Sequence, residues 1–226
     1  MNIDNWNYLY KIANGRMGET NMMYTPLVSP DETIMCMYWN ERSDYLKHNP
    51  LASKELIDSF FEKEKNNIRF FQKFSWCPEL LEINERQKKI FIRWNNNTLN
   101  RILFSDNNYS LNDICPDWKF QIYKILYDIK QEGYLKLALY PHCFYLDNNN
   151  KIKTFDFYSC IKIDQSLIEI SKIEGLISPF SVDRFERATI GNHIDFNIFF
   201  KDTMLNYLGT YWNDNPFPKF YQEIFQ

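Results

Sequence analysis

The sequence predicts an α+β protein of two lobes, an antiparallel sheet with one long helix followed by a short, mainly helical part. Three observations predict it. Residues 6–94 hold three strand-like segments, one amphipathic helical segment and two further strand-like segments, in that order. Asn95–Asn97 then breaks the pattern. Beyond it, a second helical segment runs up to Gly133 and is followed by an Asn-rich hairpin. A chain of 226 residues is long enough to bury such a core.

The elements follow in order. WNYLYKI (6–12) is strand-like, ANGRMGET (13–20) reads as a tight turn, and NMMYTPLV (21–28) as a second strand. After the turn SPDE, the apolar run TIMCMYW (33–39) forms a third strand, and Asn40–Pro50 a polar connection. Ser53 is a natural N-cap, with Glu55 in the first turn, for a helix reaching about Lys73. Ile57, Phe61, Ile68 and Phe71 give that helix an apolar stripe. Glu64 falls on the stripe, whereas Glu62, Lys65, Asn66 and Arg69 fall on the polar side. CPELLEI (77–83) and KIFIRW (89–94) read as two strands around the turn NERQ. Trp118–Lys130 is a second helix with Ile122, Ile125, Leu126 and Ile129 on one face. From Tyr134 an irregular loop leads to two short strands around Asn148–Asn150. The tail offers a strand-like CIKI (160–163) and helices near Val182–Thr189 and Phe196–Leu208.

Composition narrows the function classes. Apolar residues are 45% and charged residues 24%, as in a globular protein, and the net charge is −3. That balance lacks the basic face of a nucleic-acid binder, so no nucleic-acid partner is expected. No apolar run approaches the ~20 residues of a membrane span, and the start MNIDNWNYLYK has no signal-peptide pattern. Five widely spaced cysteines without a C-x-x-C pair point to buried thiols rather than disulfides or structural zinc. A cytoplasmic protein is expected. The wealth of Asn, Lys, Ile, Phe and Tyr fits an AT-rich genome, viral or bacterial, with the host cytoplasm as the setting in the viral case.

The stretch from Gln131 to Cys160, QEGYLKLALYPHCFYLDNNNKIKTFDFYSC, carries the main family signal. A helix ends in Gly133, a loop and a hairpin follow, and Asp156-Phe157-Tyr158 closes the segment. This order resembles the catalytic core of the protein-kinase-like fold, where a helix-end Gly precedes the loop HRDxKxxN, a hairpin and DFG. The register is gapless and places the catalytic loop at residues 136–143, with Pro141 on that loop's common Pro. The resemblance implies a kinase-like N-lobe at 1–94 and an abbreviated C-lobe at 95–226, with the hinge about 94–99. It covers roughly residues 6–160, and neither an APE motif nor an Asp-x-Trp-x-x-Gly helix follows.

The residues that would do the chemistry depart from the family. Lys136 stands at the loop's His, Ala138 at its catalytic Asp and Cys143 at its metal-binding Asn. Ala138 cannot orient or accept a substrate proton. Cys143 is a soft ligand ill suited to Mg²⁺, and the adjacent His142 reads as a hydrogen-bonding loop residue. Asp147 opens the hairpin turn and is not expected to substitute. The turn holding Gly15 and Gly18 matches the Gly-rich loop except that Ala13 replaces its first Gly. The third strand has no lysine; Met37 takes the place of the phosphate-holding one, with Met35 or Cys36 the alternatives. Glu64 stands where the helix glutamate is expected, either partnered on the buried face or reaching water from its edge. Asp156 keeps the metal-binding position, and its hard oxygens suit Mg²⁺.

The resemblance therefore implies a pseudokinase acting through another protein, with at most weak binding of ATP and Mg²⁺ through Gly15, Gly18, Met37, Glu64 and Asp156. The alternatives are a non-standard phosphoryl- or nucleotidyl-transferase that uses Asp156, and a structural or interaction protein, for instance of a virus, with no nucleotide site.

Overall fold

The computed structural model describes residues 7–8, 13–14, 22–28, 33–39, 54–95, 111–136, 143–162, 189–190 and 193–194. The chain forms two compact units, residues 1–97 with 153–158, and residues 98–152 with 159–226. No helix among the described residues is long and apolar enough to cross a membrane.

The first unit is built on one antiparallel sheet. Its strands are β1 (Asn7–Tyr8), β2 (Ala13–Asn14), β3 (Met22–Val28), β4 (Thr33–Trp39), β5 (Leu80–Asn84) and β6 (Lys89–Arg93). They lie in the order β1-β3-β4-β6-β5, and β2 also pairs with β3. The segments 6–40 and 77–94 thus share one sheet, as expected. The first strand pairs in two pieces, since β1 lies against Leu27–Val28 and β2 against Met23–Tyr24. Ala13 and Asn14 are strand residues, not the start of the turn as the sequence suggests, because their backbone completes the ladder with β3.

β4 is the central strand and is covered on both faces, which is why its sequence is an apolar run rather than an alternation. Ile34 and Cys36 cluster with Phe91, and Leu81 packs on them. Burial pushes the Cys36 thiol up to about 12. The opposite face carries Met35, Met37 and Trp39, all buried. Trp39 meets Phe61 edge to face at 5.5 Å, so this face looks towards helix α1 (Lys54–Phe71).

α1 is the expected long helix, and its proposed cap Ser53 lies outside the described residues. Phe61, Ile68 and Phe71 are buried as the stripe requires. Lys65 departs from expectation, for it is buried too. Its Nζ stands 5.5 Å from the Phe61 ring centroid and reaches Glu62 at 2.8 Å and Glu85 at 3.4 Å. A long aliphatic stem lets a lysine cover apolar surface and still deliver its charge to the rim. Lys88 makes a second tie from the β5–β6 turn, to Asp58 of α1.

The strand expected from Cys77 begins instead at Leu80. Gln72, just past the helix, explains the delay. Its Nε2 donates to the Pro78 carbonyl at 2.8 Å, and its Oε1 accepts from the Leu80 N–H at 3.1 Å. Those backbone groups are satisfied by a side chain before the ladder starts.

In the second unit, α2 (Leu111–Ile114) leads into α3 (Trp118–Gln131). Trp118, Ile122, Ile125, Leu126 and Ile129 are buried on one face of α3, as the 3.6-residue period predicts. Gly133 closes the helix at φ +79, with its N–H on the Lys130 carbonyl at 2.8 Å. That left-handed backbone is the one glycine adopts without a Cβ penalty. The residues after it are not all loop, because β7 (Tyr134–Lys136) pairs antiparallel with β10 (Cys160–Lys162). β8 (Phe144–Leu146) and β9 (Ile152–Thr154) form the hairpin, and the division between the units passes through β9. Asp147 caps its turn through Oδ1, accepting from Asn149 N at 2.8 Å and Lys151 N at 2.9 Å. Asn150, at φ 57, supplies the left-handed step. In the tail, Thr189 begins a short strand β11 (Thr189–Ile190) paired with β12 (His193–Ile194), not the end of a helix. Residues 182–188 and the helix expected at Phe196–Leu208 lie outside the described residues.

Candidate functional site around Asp156

The site in the first unit is made by α1 and the segment Lys153–Tyr158. β9 enters along the end of α1, where the Thr154 N–H donates to the Trp76 carbonyl at 3.3 Å and Lys153 Nζ to that of Ser75. The chain then turns at Asp156, whose φ is +64. A non-glycine residue in that region is held there by its surroundings.

The surroundings come from one face of α1. Phe60, Glu64, Asn67 and Phe71 are spaced by four, three and four residues, so they stand in line along the helix. All four are buried. Phe60 packs on Tyr158 with ring centroids 5.4 Å apart. Phe71 packs on Phe157 at 5.4 Å, and Trp76 adds a further contact at 6.2 Å. Between these aromatic ends sit the two polar residues. Glu64 Oε2 accepts from the Tyr158 N–H at 2.5 Å, and Asn67 Nδ2 donates to the Phe157 carbonyl at 2.7 Å.

Glu64 therefore lies on the buried face of the helix with a specific partner and does not reach water from the edge. Glu62 is exposed and pairs with Lys65. Met37 is fully buried on the face of β4 that looks towards α1 and offers no charge there. Asp156 is buried, and burial pushes its carboxyl up to about 8. At neutral pH it is mainly protonated, a poor state for binding a hard cation. Among the described residues, no group of three His, Cys, Asp or Glu side chains gathers to hold a metal.

Lys136 and Cys143 belong to the second unit, and both are buried. Gly15, Gly18 and Ala138 lie outside the described residues, as do Pro141 and His142. Of the expected site residues, Glu64 and the Asp156 segment come together, and Asn67 joins them unannounced. The signal for Asn67 was its spacing, three after Glu64 and four before Phe71. Cys36, Cys77, Cys115, Cys143 and Cys160 are all buried. No protein-family model matches the chain, and comparison with curated proteins finds no match.

Proposed function

We propose that the chain is a catalytically degenerate, kinase-like protein that works by binding another protein, with only residual affinity for metal and nucleotide. The observation that carries this reading is the bond from Glu64 to the Tyr158 N–H. It joins the helix glutamate to the D-F-Y segment, two parts that the kinase resemblance assigns to one site. The sheet supports it, with the helix inserted between β4 and β5 and the lysine-bearing strand of the template in the middle.

The chemistry of the residues argues for loss of catalysis. Met37 presents a thioether where phosphate binding needs an ammonium. Ala138 leaves the general-base role empty, a loss typically worth about 10²–10⁴-fold. Asp156, protonated by burial at neutral pH, is a weak anchor for a divalent cation.

A paired assay of ATP binding and ATP turnover, on the wild type and on Asp156→Ala, tests the reading. The expected result is weak binding that Asp156→Ala removes, with no turnover in either protein. Robust turnover that disappears in Asp156→Ala would instead establish a transferase. Absence of binding in both would leave an interaction protein without a nucleotide site.

A further inference from the structure

The two hydrogen bonds from α1 end on the same peptide group. The Phe157 carbonyl and the Tyr158 N–H are the two polar ends of one peptide unit, and Asn67 and Glu64 hold one each. The match is directional. Asn67 offers an amide donor to the carbonyl and Glu64 a carboxyl acceptor to the N–H. Turning the peptide over would set N–H against the Asn67 amide donor and carbonyl oxygen against the Glu64 carboxyl. Each bond thus opposes the flip that the other opposes, in a buried setting where a mismatched polar group is costly.

We propose that Glu64 and Asn67 are positioning residues that lock the Phe157–Tyr158 peptide without any bound ligand, and so hold Asp156 in its left-handed turn. The inference rests on reading Met37 as the replacement of the strand lysine. β4 carries no lysine, and Glu64 bonds the D-F-Y backbone. Phe60 on Tyr158 and Phe71 on Phe157 flank the grip and keep water from it. The protein would then present one fixed arrangement of α1 and D-F-Y to its partner, rather than one that nucleotide must assemble.

The test is amide exchange at Tyr158, together with the Asp156 Cα and Cβ chemical shifts, which report a left-handed backbone. Both are read in the ligand-free protein and with Mg-ATP added. In the wild type, protection at Tyr158 should be present without ligand and unchanged by Mg-ATP. Asn67→Ala and Glu64→Met should each speed Tyr158 exchange about five- to tenfold beyond any change at Phe91 in the sheet. Asp156 should leave its left-handed shifts in both. Glu64→Gln, which keeps an acceptor oxygen, should retain most of the protection and covers the case where Glu64→Met does not fold. Phe71→Leu, which loosens the packing without touching the peptide, should raise exchange at Tyr158 and Phe91 together and leave the Asp156 shifts in place. Protection that appears only with Mg-ATP would overturn the lock. So would polar variants that behave like Phe71→Leu. ATP turnover bears on the pseudokinase reading alone, so failure of one is distinguishable from failure of the other.

Discussion

Helices α1 and α3 bury comparable faces with different materials. The described buried face of α3 is apolar, made of Trp118, Ile122, Ile125, Leu126 and Ile129, and its polar side chains bond from outside that face. Lys124 pairs with Asp128 one turn away, and Gln121 bonds Asp117 and accepts from the Ile152 N–H. α1 buries Glu64 and Asn67 beside its aromatics and aims both at a peptide about ninety residues further along the chain. An apolar face can settle in any register that fills the space. Two directional bonds to one peptide define a single position. The polar pair costs desolvation and specifies a geometry, and that is where a site is to be sought.

The sharpest way to break this contrast is to remove its aromatic anchor. Phe157→Ala should cost about 3–5 kcal/mol in urea unfolding, since the ring is fully buried against Phe71 and Trp76. It should also release Tyr158 amide protection, whereas Ile125→Ala in α3 should destabilise while leaving that protection to follow global stability.

Asp156 sharpens the contrast through pH. Its folded value of about 8 lies above the unfolded value of about 3.9. The native state therefore holds a proton that the unfolded state gives up. This contribution to stability is fully present below about pH 4 and is lost as pH rises towards about 8. Asp156→Asn removes the dependence. Its stability relative to the wild type should rise by up to about 1.4 kcal/mol per pH unit between pH 5 and pH 8, measured by urea unfolding across that range. Wild-type and variant curves that stay parallel would show that folding leaves the Asp156 pKa unchanged.

A smaller effect probes α3. Gly133→Ala should cost about 1–2 kcal/mol, read as a lower thermal midpoint. The penalty is one of backbone conformation, since an added Cβ at φ +79 would meet no atom within 4 Å. Smaller still, Lys124→Ala should change stability by no more than about 0.5 kcal/mol, because its pair with Asp128 is a surface one.

These residues also show what the sequence made legible. The α3 stripe and its closing Gly133 were plain, because periodicity and a left-handed cap are local signals. The sheet followed from the order of strands and the apolar run of β4. Glu64 could be singled out as a carboxylate on an apolar stripe, but not its partner, since a backbone N–H carries no side-chain signature. The burial of Lys65 is not legible because helical angle alone assigns it to the polar side and ignores how far a lysine stem can reach. Asn67 does not stand out in the sequence because the apolar stripe runs through Ile68, its neighbour. The start of β5 is not legible because Gln72, outside the strand, binds the Pro78 carbonyl and the Leu80 N–H.

The most direct measurement is the scalar coupling across the hydrogen bond between the Tyr158 amide nitrogen and the Glu64 side-chain carboxyl carbon, in the ligand-free protein labelled with ¹⁵N and ¹³C. A resolved coupling that persists without nucleotide is the predicted result. A coupling that is absent, with the Tyr158 amide exchanging at the rate of an open chain, would contradict the grip of α1 on D-F-Y and the site built upon it.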